Sequence, residues 1–242
     1  MNDLIMNNPN LMIISYVFVG LLGLFIGSFL NVVGLRLLKD QSVIFPASHC
    51  PKCEEKIKPY DNIPVISWLL LRGECRSCKD RISVQYPIVE FCTGLLFVLV
   101  FHFFGFSFHT LMSMIVISAL VVVTITDVLE SYIFDVVSIW LVPLGLLYNL
   151  FNLGGVTNRP DFVIQLFPAA DAPFSLGSFF TEGAIHLNGM FASGIAAIIL
   201  SYLFFGVLSK IGELLFHKEG FGHGDTWLCA GLGAWLGWEL LL

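Results

Sequence analysis

Long apolar stretches separated by short polar ones dominate the chain, and they predict membrane-spanning helices. Predominantly apolar runs fall at about 11–35, 85–106, 110–127, 136–153, 187–208 and 224–242, each close to the roughly 17 to 25 residues needed to cross a bilayer. They are rich in Phe, Leu, Val and Ile without a two-residue alternation, which argues for helices and against a transmembrane barrel. The first run lacks a small-residue cleavage site and is read as retained. The polar stretch 36–84 separates the first run from the second, and 154–186, rich in Gly, Pro, Ser and Asn, separates the fourth from the fifth. Fold class and organisation follow: an all-α polytopic membrane protein of about six transmembrane helices. Residues 1–35 hold the first helix, 36–84 a small cytoplasmic loop, and 85–242 a helical core with 154–186 as an external loop. A solvated connector is the plain reading of that external loop. No internal repeat or low-complexity segment is visible.

Composition agrees, with 57% hydrophobic and 12% charged residues and a mean hydropathy of +0.85, far from the balance of a soluble domain. The net charge of −6 says less than the placement of the cations. Nine of the twelve Lys and Arg lie between Arg36 and Arg81, so the positive-inside rule assigns 36–84 to the cytoplasm and the N-terminus to the outside. Alternation of spans then places 154–186 outside and 209–223 inside. Nothing in this distribution calls for a nucleic-acid partner; membrane lipid is the expected surroundings.

The cytoplasmic loop carries Cys50-Pro-Lys-Cys53 and Cys75-Arg-Ser-Cys78. Paired CxxC motifs at this separation match a closed four-thiolate zinc site, a structural centre with no open position for catalytic water. Two disulfides are the alternative, disfavoured in a reducing compartment. Cys92 and Cys229 fall within spans and are expected as buried small apolar residues.

Ionisable residues at the edges of spans are functional candidates by default. Asp127 closes the third span and Asp225 opens the sixth, and the derived topology sets both near the cytoplasmic face. Around Asp127 the chain reads ITDVLESYIFD, in which Glu130 and Asp135 lie either on a continuing helix or at a solvated helix junction. Around Asp225 it reads GFGHGDTW, where Asp225 is either a helix cap or a reacting acid; His223 beside it either tunes that acid or faces solvent. Two carboxylates that meet share a proton, and such a dyad activates water for amide hydrolysis without a covalent intermediate. Glu90 sits inside a span and, with Asn31, is the remaining polar candidate. A buried structural hydrogen-bond partner is the other reading of Glu90.

These segments together resemble the type IV prepilin peptidases, bifunctional leader peptidases and N-methyltransferases of the GxGD membrane aspartyl protease group. The resemblance rests on GSFLNVVGLR at 27–36, PASHC at 46–50, both CxxC pairs, DNIPVISWLLLRGECRSC at 61–78, SVQYPIVE at 83–90, the D-x7-D segment at 127–135 and GHGD at 222–225. It implies catalysis by Asp127 and Asp225, structural zinc on Cys50, Cys53, Cys75 and Cys78, and a type IV prepilin or pseudopilin substrate cut at a Gly–Phe-like bond on the cytoplasmic side. It further implies S-adenosylmethionine-dependent N-methylation of the new N-terminus, with Glu90 as the candidate of the methyl-transfer site, and residence in the bacterial inner membrane. Thr226 and Trp227 stand where the family commonly has an aliphatic residue and Lys, and Phe134 replaces the usual Pro. The spacing between the two acids is also long for the family. The sequence stops at Leu242, where relatives commonly continue into further spans, so the competing reading is a catalytically impaired membrane scaffold whose zinc knuckle serves pilus or secretion assembly. Among enzymes the leading competitor is an archaeal-type preflagellin peptidase or another GxGD protease, against whose simpler members the doubled CxxC and the long first cytoplasmic loop speak; a transporter with two intramembrane acids ranks lowest.

Overall fold

The computed structural model describes residues 8–45, 48–151, 189–216 and 222–236. Helices make up most of it, with no strand among the described residues beyond two isolated bridges. In chain order they are α1 (Pro9–Leu37), a short 3-10 turn (Pro59–Asn62), α2 (Ile66–Leu70), α3 (Gln85–Phe104), α4 (Phe108–Glu130), α5 (Asp135–Phe151), α6 (Gly189–Phe216) and α7 (His223–Leu236). Helices thus appear at all six expected places. Four are long and apolar enough to cross a membrane: α1, α3, α4 and the Gly194–Leu214 part of α6. The helix at the fourth expected place, α5, has 17 residues and reaches about 25 Å at 1.5 Å per residue, short of a ~30 Å hydrocarbon core without tilt or thinning. Only Gly189–Phe216 runs well past its expected end, because the helix continues through Lys210 and Glu213 into polar surroundings. The external loop read at 154–186 lies outside the described residues.

The protein is a multi-pass membrane protein, and the faces of its helices show it. Along α1 the buried positions are Ser15, Val19, Gly23, Gly27, Leu30, Asn31 and Gly34, while Ile13, Ile14, Val17, Phe18, Phe25 and Phe29 are exposed. Apart from Val19 and Leu30, small and polar residues face inward and large apolar ones outward, the arrangement expected where the surrounding solvent is lipid and helices associate by close packing. Cys92, expected to be buried, is exposed on α3; a thiol is apolar enough to face hydrocarbon, so that position asks for no interior site. Cys229 is half-buried.

The chain divides into two compact units, Met1–Glu130 and Ser131–Leu242. In the first, α1 packs on α3 and α4. Asn8 caps α1 by accepting from the Asn10 N–H at 3.1 Å, and Pro9 fills the first helical position, where its missing N–H costs nothing. A Cβ at Gly23 would stand 2.7 Å from Gly94 Cα, and one at Gly27 would stand 2.9 Å from Glu90 Cα. These glycines set how closely α1 and α3 approach. Further along, Val19, Phe97, Phe101 and Met114 form the apolar core of this unit, edged by Tyr16, whose hydroxyl pairs with His102 Nδ1 at 2.8 Å.

In the second unit α7 packs on α5 and α6. Trp235 Nε1 donates to the Leu141 carbonyl at 2.9 Å and Asn149 Nδ2 to the Ala234 carbonyl at 2.7 Å. The Trp235 ring stacks on Tyr148 with centroids 5.0 Å apart. Gly145 and Gly231 leave room for Trp235 and Leu141, so indole and leucine fill the space a side chain on either glycine would take.

Candidate functional site

The loop between α1 and α3 folds around its cysteines. Cys50 N–H bonds the Glu55 carbonyl at 3.0 Å and Cys75 N–H bonds the Asp80 carbonyl at 2.8 Å, each hairpin being closed by a bridge, His49 with Lys56 and Glu74 with Arg81. In each hairpin the residue after the second cysteine has positive φ, 57° at Glu54 and 60° at Lys79. The two CxxC segments are therefore copies of one knuckle, a repetition that the sequence shows only as the doubled motif. Lys52 Nζ bridges them through Asp80 at 2.9 Å.

All four Sγ atoms lie within 4.8 Å of one another, with Cys50 to Cys78 at 3.7 Å and Cys53 to Cys75 at 4.0 Å. A tetrahedron with metal–sulfur bonds of about 2.3 Å has sulfur–sulfur edges of about 3.8 Å, so the set fits a four-coordinate metal. Its electrostatics agree. The backbone N–H groups of Cys53 and then Lys52 hold the Cys50 thiol down at about 7. At Cys78 the Asp80 N–H pulls downward, but burial and the other three thiols outweigh it and push the value up to about 12. Cys53 is treated likewise: the Glu55 N–H lowers it, while burial and the Cys50 and Cys75 thiols leave it raised. Four thiolates in one place repel each other, and a divalent cation is what allows all of them to ionise together.

Next to the knuckles lies a cavity of about 500 Å³, within the roughly 300–1,000 Å³ of small-molecule sites. Its wall includes Ser28 and Arg36 of α1, Trp68 of α2, Tyr86 and Glu90 of α3, and Arg81 of the second knuckle. Two interactions hold the segment 59–68, which contributes Asp61, Val65 and Trp68 to the cavity wall. Arg76 makes a bidentate pair with Asp61, at 2.8 and 2.6 Å, and its guanidinium lies 5.5 Å from the Tyr60 ring centre. Ser67 Oγ accepts from the Ile63 N–H and donates to the Tyr60 carbonyl, both at 2.9 Å.

Glu90 is 6% exposed. Its Oε2 accepts the Val65 backbone N–H at 2.7 Å, and Ser28 lines the same cavity wall; no cation pairs with it among the described residues. Val65 is held at φ 61°, ψ −51°, with the Ile66 N–H on the Pro64 carbonyl at 2.6 Å. That is a γ-turn of the positive-φ kind, rare and strained, and more so at a β-branched residue. The strain aims one backbone donor at one carboxylate. Val65, Ser67 and Ser28 were not singled out from the sequence, although DNIPVISW and GSFLN contain them; only the fold shows that these two segments converge on Glu90. Asn31, fully buried, donates through Nδ2 to the Gly27 and Tyr86 carbonyls at 3.4 and 3.3 Å, while its Oδ1 has no partner among the described residues.

Asp127 lies in the last turn of α4 and is exposed. The helix ends at Glu130, Ser131 takes φ 51°, and Asp135 begins α5. Of the two readings of the D-x7-D segment, the helix junction is the one observed. Asp225 is half-buried in the first turn of α7, inside the helix rather than at its cap, where the macrodipole favours a negative charge. The glycines of GHGD have separate uses. A Cβ at 224 would collide with the Ile133 backbone carbonyl, and one at 222 would stand 3.4 Å from Asp225 Oδ2. The second unit thus brings the helix start bearing Asp225 against the segment that leads into Asp135. Asp127 belongs to the first unit and Asp225 to the second.

An apolar multi-helix protein with acids at the ends of its spans, a four-cysteine knuckle and a neighbouring polar cavity defines a class, and sequence comparison names it. Residues 21–104 match the Bacterial Peptidase A24 N-terminal domain and residues 114–242 match the Type IV leader peptidase family. Similar proteins called prepilin leader peptidase/N-methyltransferase include one from Myxococcus xanthus, 34% identical over 93% of this chain and 57% of the relative. Others come from Neisseria gonorrhoeae, 34% identical over 89% of this chain and 72% of the relative, and Klebsiella pneumoniae, 34% identical over 93% and 86%. The chain thus spans little more than half of the Myxococcus relative and most of the Klebsiella one. No solved structure matches. The chain belongs to the type IV leader peptidase family.

Proposed function

We propose that the protein removes the basic leader from type IV prepilins or pseudopilins at a Gly–Phe-like bond and N-methylates the residue so exposed. The observation that carries the reading is the collinear match of both halves of the chain to this family, across segments that contain the knuckles, Glu90 and both span-end acids. In the cleavage step Asp127 and Asp225 act as a pair. One carboxylate takes a proton from water as the other, protonated, donates to the scissile carbonyl oxygen; the tetrahedral adduct collapses with proton return to the leaving amine. Asp225 is suited to this by a half-buried seat on a helix N-terminus, and Asp127 by standing free of ion pairs among the described residues.

The metal of the four-cysteine centre is zinc in a structural role, holding together a loop with almost no apolar core. The methyl donor is S-adenosylmethionine, whose sulfonium supplies the methyl group when bound, and the cavity bounded by Glu90 is its place of work. Size and polarity of the cavity suit it. The chain resides in the bacterial inner membrane, N-terminus outside, with the knuckles on the cytoplasmic side, where nine cations cluster and where leader and donor are both found.

The test is cleavage of a full-length prepilin in liposomes by wild type, Asp127→Asn and Asp225→Asn, with mass spectrometry of the product. Wild type releases the leader and leaves a methylated N-terminus; the variants leave the precursor intact. An uncut precursor with folded wild type would overturn the peptidase reading, and a cut but unmethylated product the transferase half alone.

A further inference from the structure

We infer that Glu90 is the seat of the acceptor amine: its carboxylate binds the free ammonium of the processed substrate and takes the proton that must leave before nitrogen can be methylated. The inference deepens the reading of the cavity as the methyl-transfer site and rests on it.

Three observations point the same way. First, Glu90 is buried in the cavity wall without a cation of its own among the described residues, although Arg36, Arg76 and Arg81 all line the same space. A buried carboxylate is costly unless something positive pairs with it, and the cavity leaves that partner to be supplied by a ligand. Second, the residue is fixed rather than free. Val65 is kept in a strained γ-turn with its backbone N 2.7 Å from Oε2, the N–H donating to it. Such strain persists where surrounding structure holds it for use. Third, Glu90 sits in the second turn of a membrane-spanning helix, close beside the α1 backbone at Gly27. An amine at the end of an apolar helical stem would arrive at this level of the bilayer. Val32, Leu35, Trp68 and Leu71, also in the wall, offer an apolar surface to a first residue of the Phe type.

Chemistry chooses between the two positively charged groups that methyl transfer brings together. An ammonium has no lone pair and must lose a proton to become a nucleophile; a sulfonium has no proton to give. A carboxylate is therefore a base toward the first and only a counter-charge toward the second. Glu90 accepts H⁺ from R–NH3⁺ to give R–NH2 and a neutral carboxyl. The nitrogen lone pair then forms the N–C bond to the methyl group as the S–C bond breaks, its electron pair remaining on sulfur as a neutral thioether. The product is R–NH2⁺–CH3, and Glu90 releases its proton to water.

The experiment uses the full chain in detergent and a dye-labelled apolar helical peptide beginning with Phe, with its N-terminus either free or acetylated. Peptide binding is read by fluorescence anisotropy and S-adenosylmethionine binding by calorimetry, in wild type, Glu90→Gln and Glu90→Asp. Gln preserves an acceptor for the Val65 N–H, and metal content with thermal unfolding confirms that each protein is folded. Wild type should prefer the free amine by about tenfold or more, the scale of a charge-assisted hydrogen bond over a neutral one. Glu90→Gln should lose that preference while keeping its affinity for the donor, and Glu90→Asp should recover part of it. A preference that survives in Glu90→Gln overturns the inference, as does a donor affinity that falls about tenfold in the same variant, which would make Glu90 the sulfonium's partner. A wild type that binds no donor removes the methyl-transfer reading and this inference with it.

Discussion

The two units use glycine in the same way and acids in opposite ways. In Met1–Glu130, Gly23 and Gly27 bring α1 against α3, and the acid at that contact, Glu90, is buried and gripped by a backbone N–H. In Ser131–Leu242, Gly224 brings α7 against the Ile133 carbonyl, but the acid next to it, Asp225, stays half-exposed and makes no ion pair among the described residues. A gripped carboxylate holds one position and suits a bound cation. An accessible one can meet water and a peptide bond. Close helix packing alone therefore says little about chemistry; what surrounds the acid decides it.

The comparison breaks most sharply at the acids assigned to cleavage. Asp127→Asn and Asp225→Asn should each lower leader cleavage by about 10²- to 10⁴-fold or more, the range of general acid–base catalysis, with one metal per chain retained. Initial rates by gel or mass spectrometry check this, and a variant that cuts within tenfold of wild type would remove its residue from the reaction. The next effect falls in the other unit. Cys50→Ser breaks a closed ligand set, and metal affinity should drop by about 100-fold or more, beyond the loss seen when mere supporting contacts are removed. Metal analysis after chelator dialysis reads it, together with a lower unfolding temperature. Unchanged metal content and unchanged unfolding would refute the structural centre.

Packing gives a smaller and purely structural contrast. Gly224→Ala forces a methyl onto the Ile133 carbonyl and should cost about 1–3 kcal/mol of stability, the usual price of overpacking. Gly206→Ala in α6 meets nothing within 4 Å and should be neutral or gain up to about 1 kcal/mol from helix propensity. Thermal unfolding in one detergent compares them. Equal stabilities would mean that the GHGD glycine is not required by this contact.

Much of this was legible in the chain, for identifiable reasons. Hydrophobic runs located six helices because lipid demands continuous apolar stretches, and the CxxC spacing picked out the four cysteines that the fold gathers within 4.8 Å of one another, as a tetrahedral thiolate centre would require. The expectation for Cys92 failed, since in a bilayer the outside of a helix is as apolar as its inside. Two things stayed out of reach. The γ-turn at Val65 depends on a hydrogen bond to a residue 25 positions later, which no local propensity encodes. Asp135 also fell between two readings, because ITDVLESYIFD carries no Gly or Pro to mark the break that Ser131 makes with its positive φ.

The smallest effect tests whether the grip on the first unit's cavity is electrostatic. The Arg76 hydrogen bonds, opposed by some burial and aided by its charge and that of Lys58, hold the Asp61 carboxyl below its ordinary value of 3.8. A depressed folded-state value means that the pair stabilises the fold fully above that ordinary value and loses its contribution as pH falls through the lower one. Arg76→Gln removes the partner, so the difference in stability between wild type and variant should be present at about pH 5 and above and shrink on acidification below the carboxylate range. Acid also strips metal from thiolates, but it does so in both proteins and drops out of the difference. Hydrogen exchange at Tyr60 and Asp61, in the segment that forms part of the cavity wall, is the readout. A difference that stays constant with pH would assign the role of Arg76 to its packing on Tyr60 rather than to its charge.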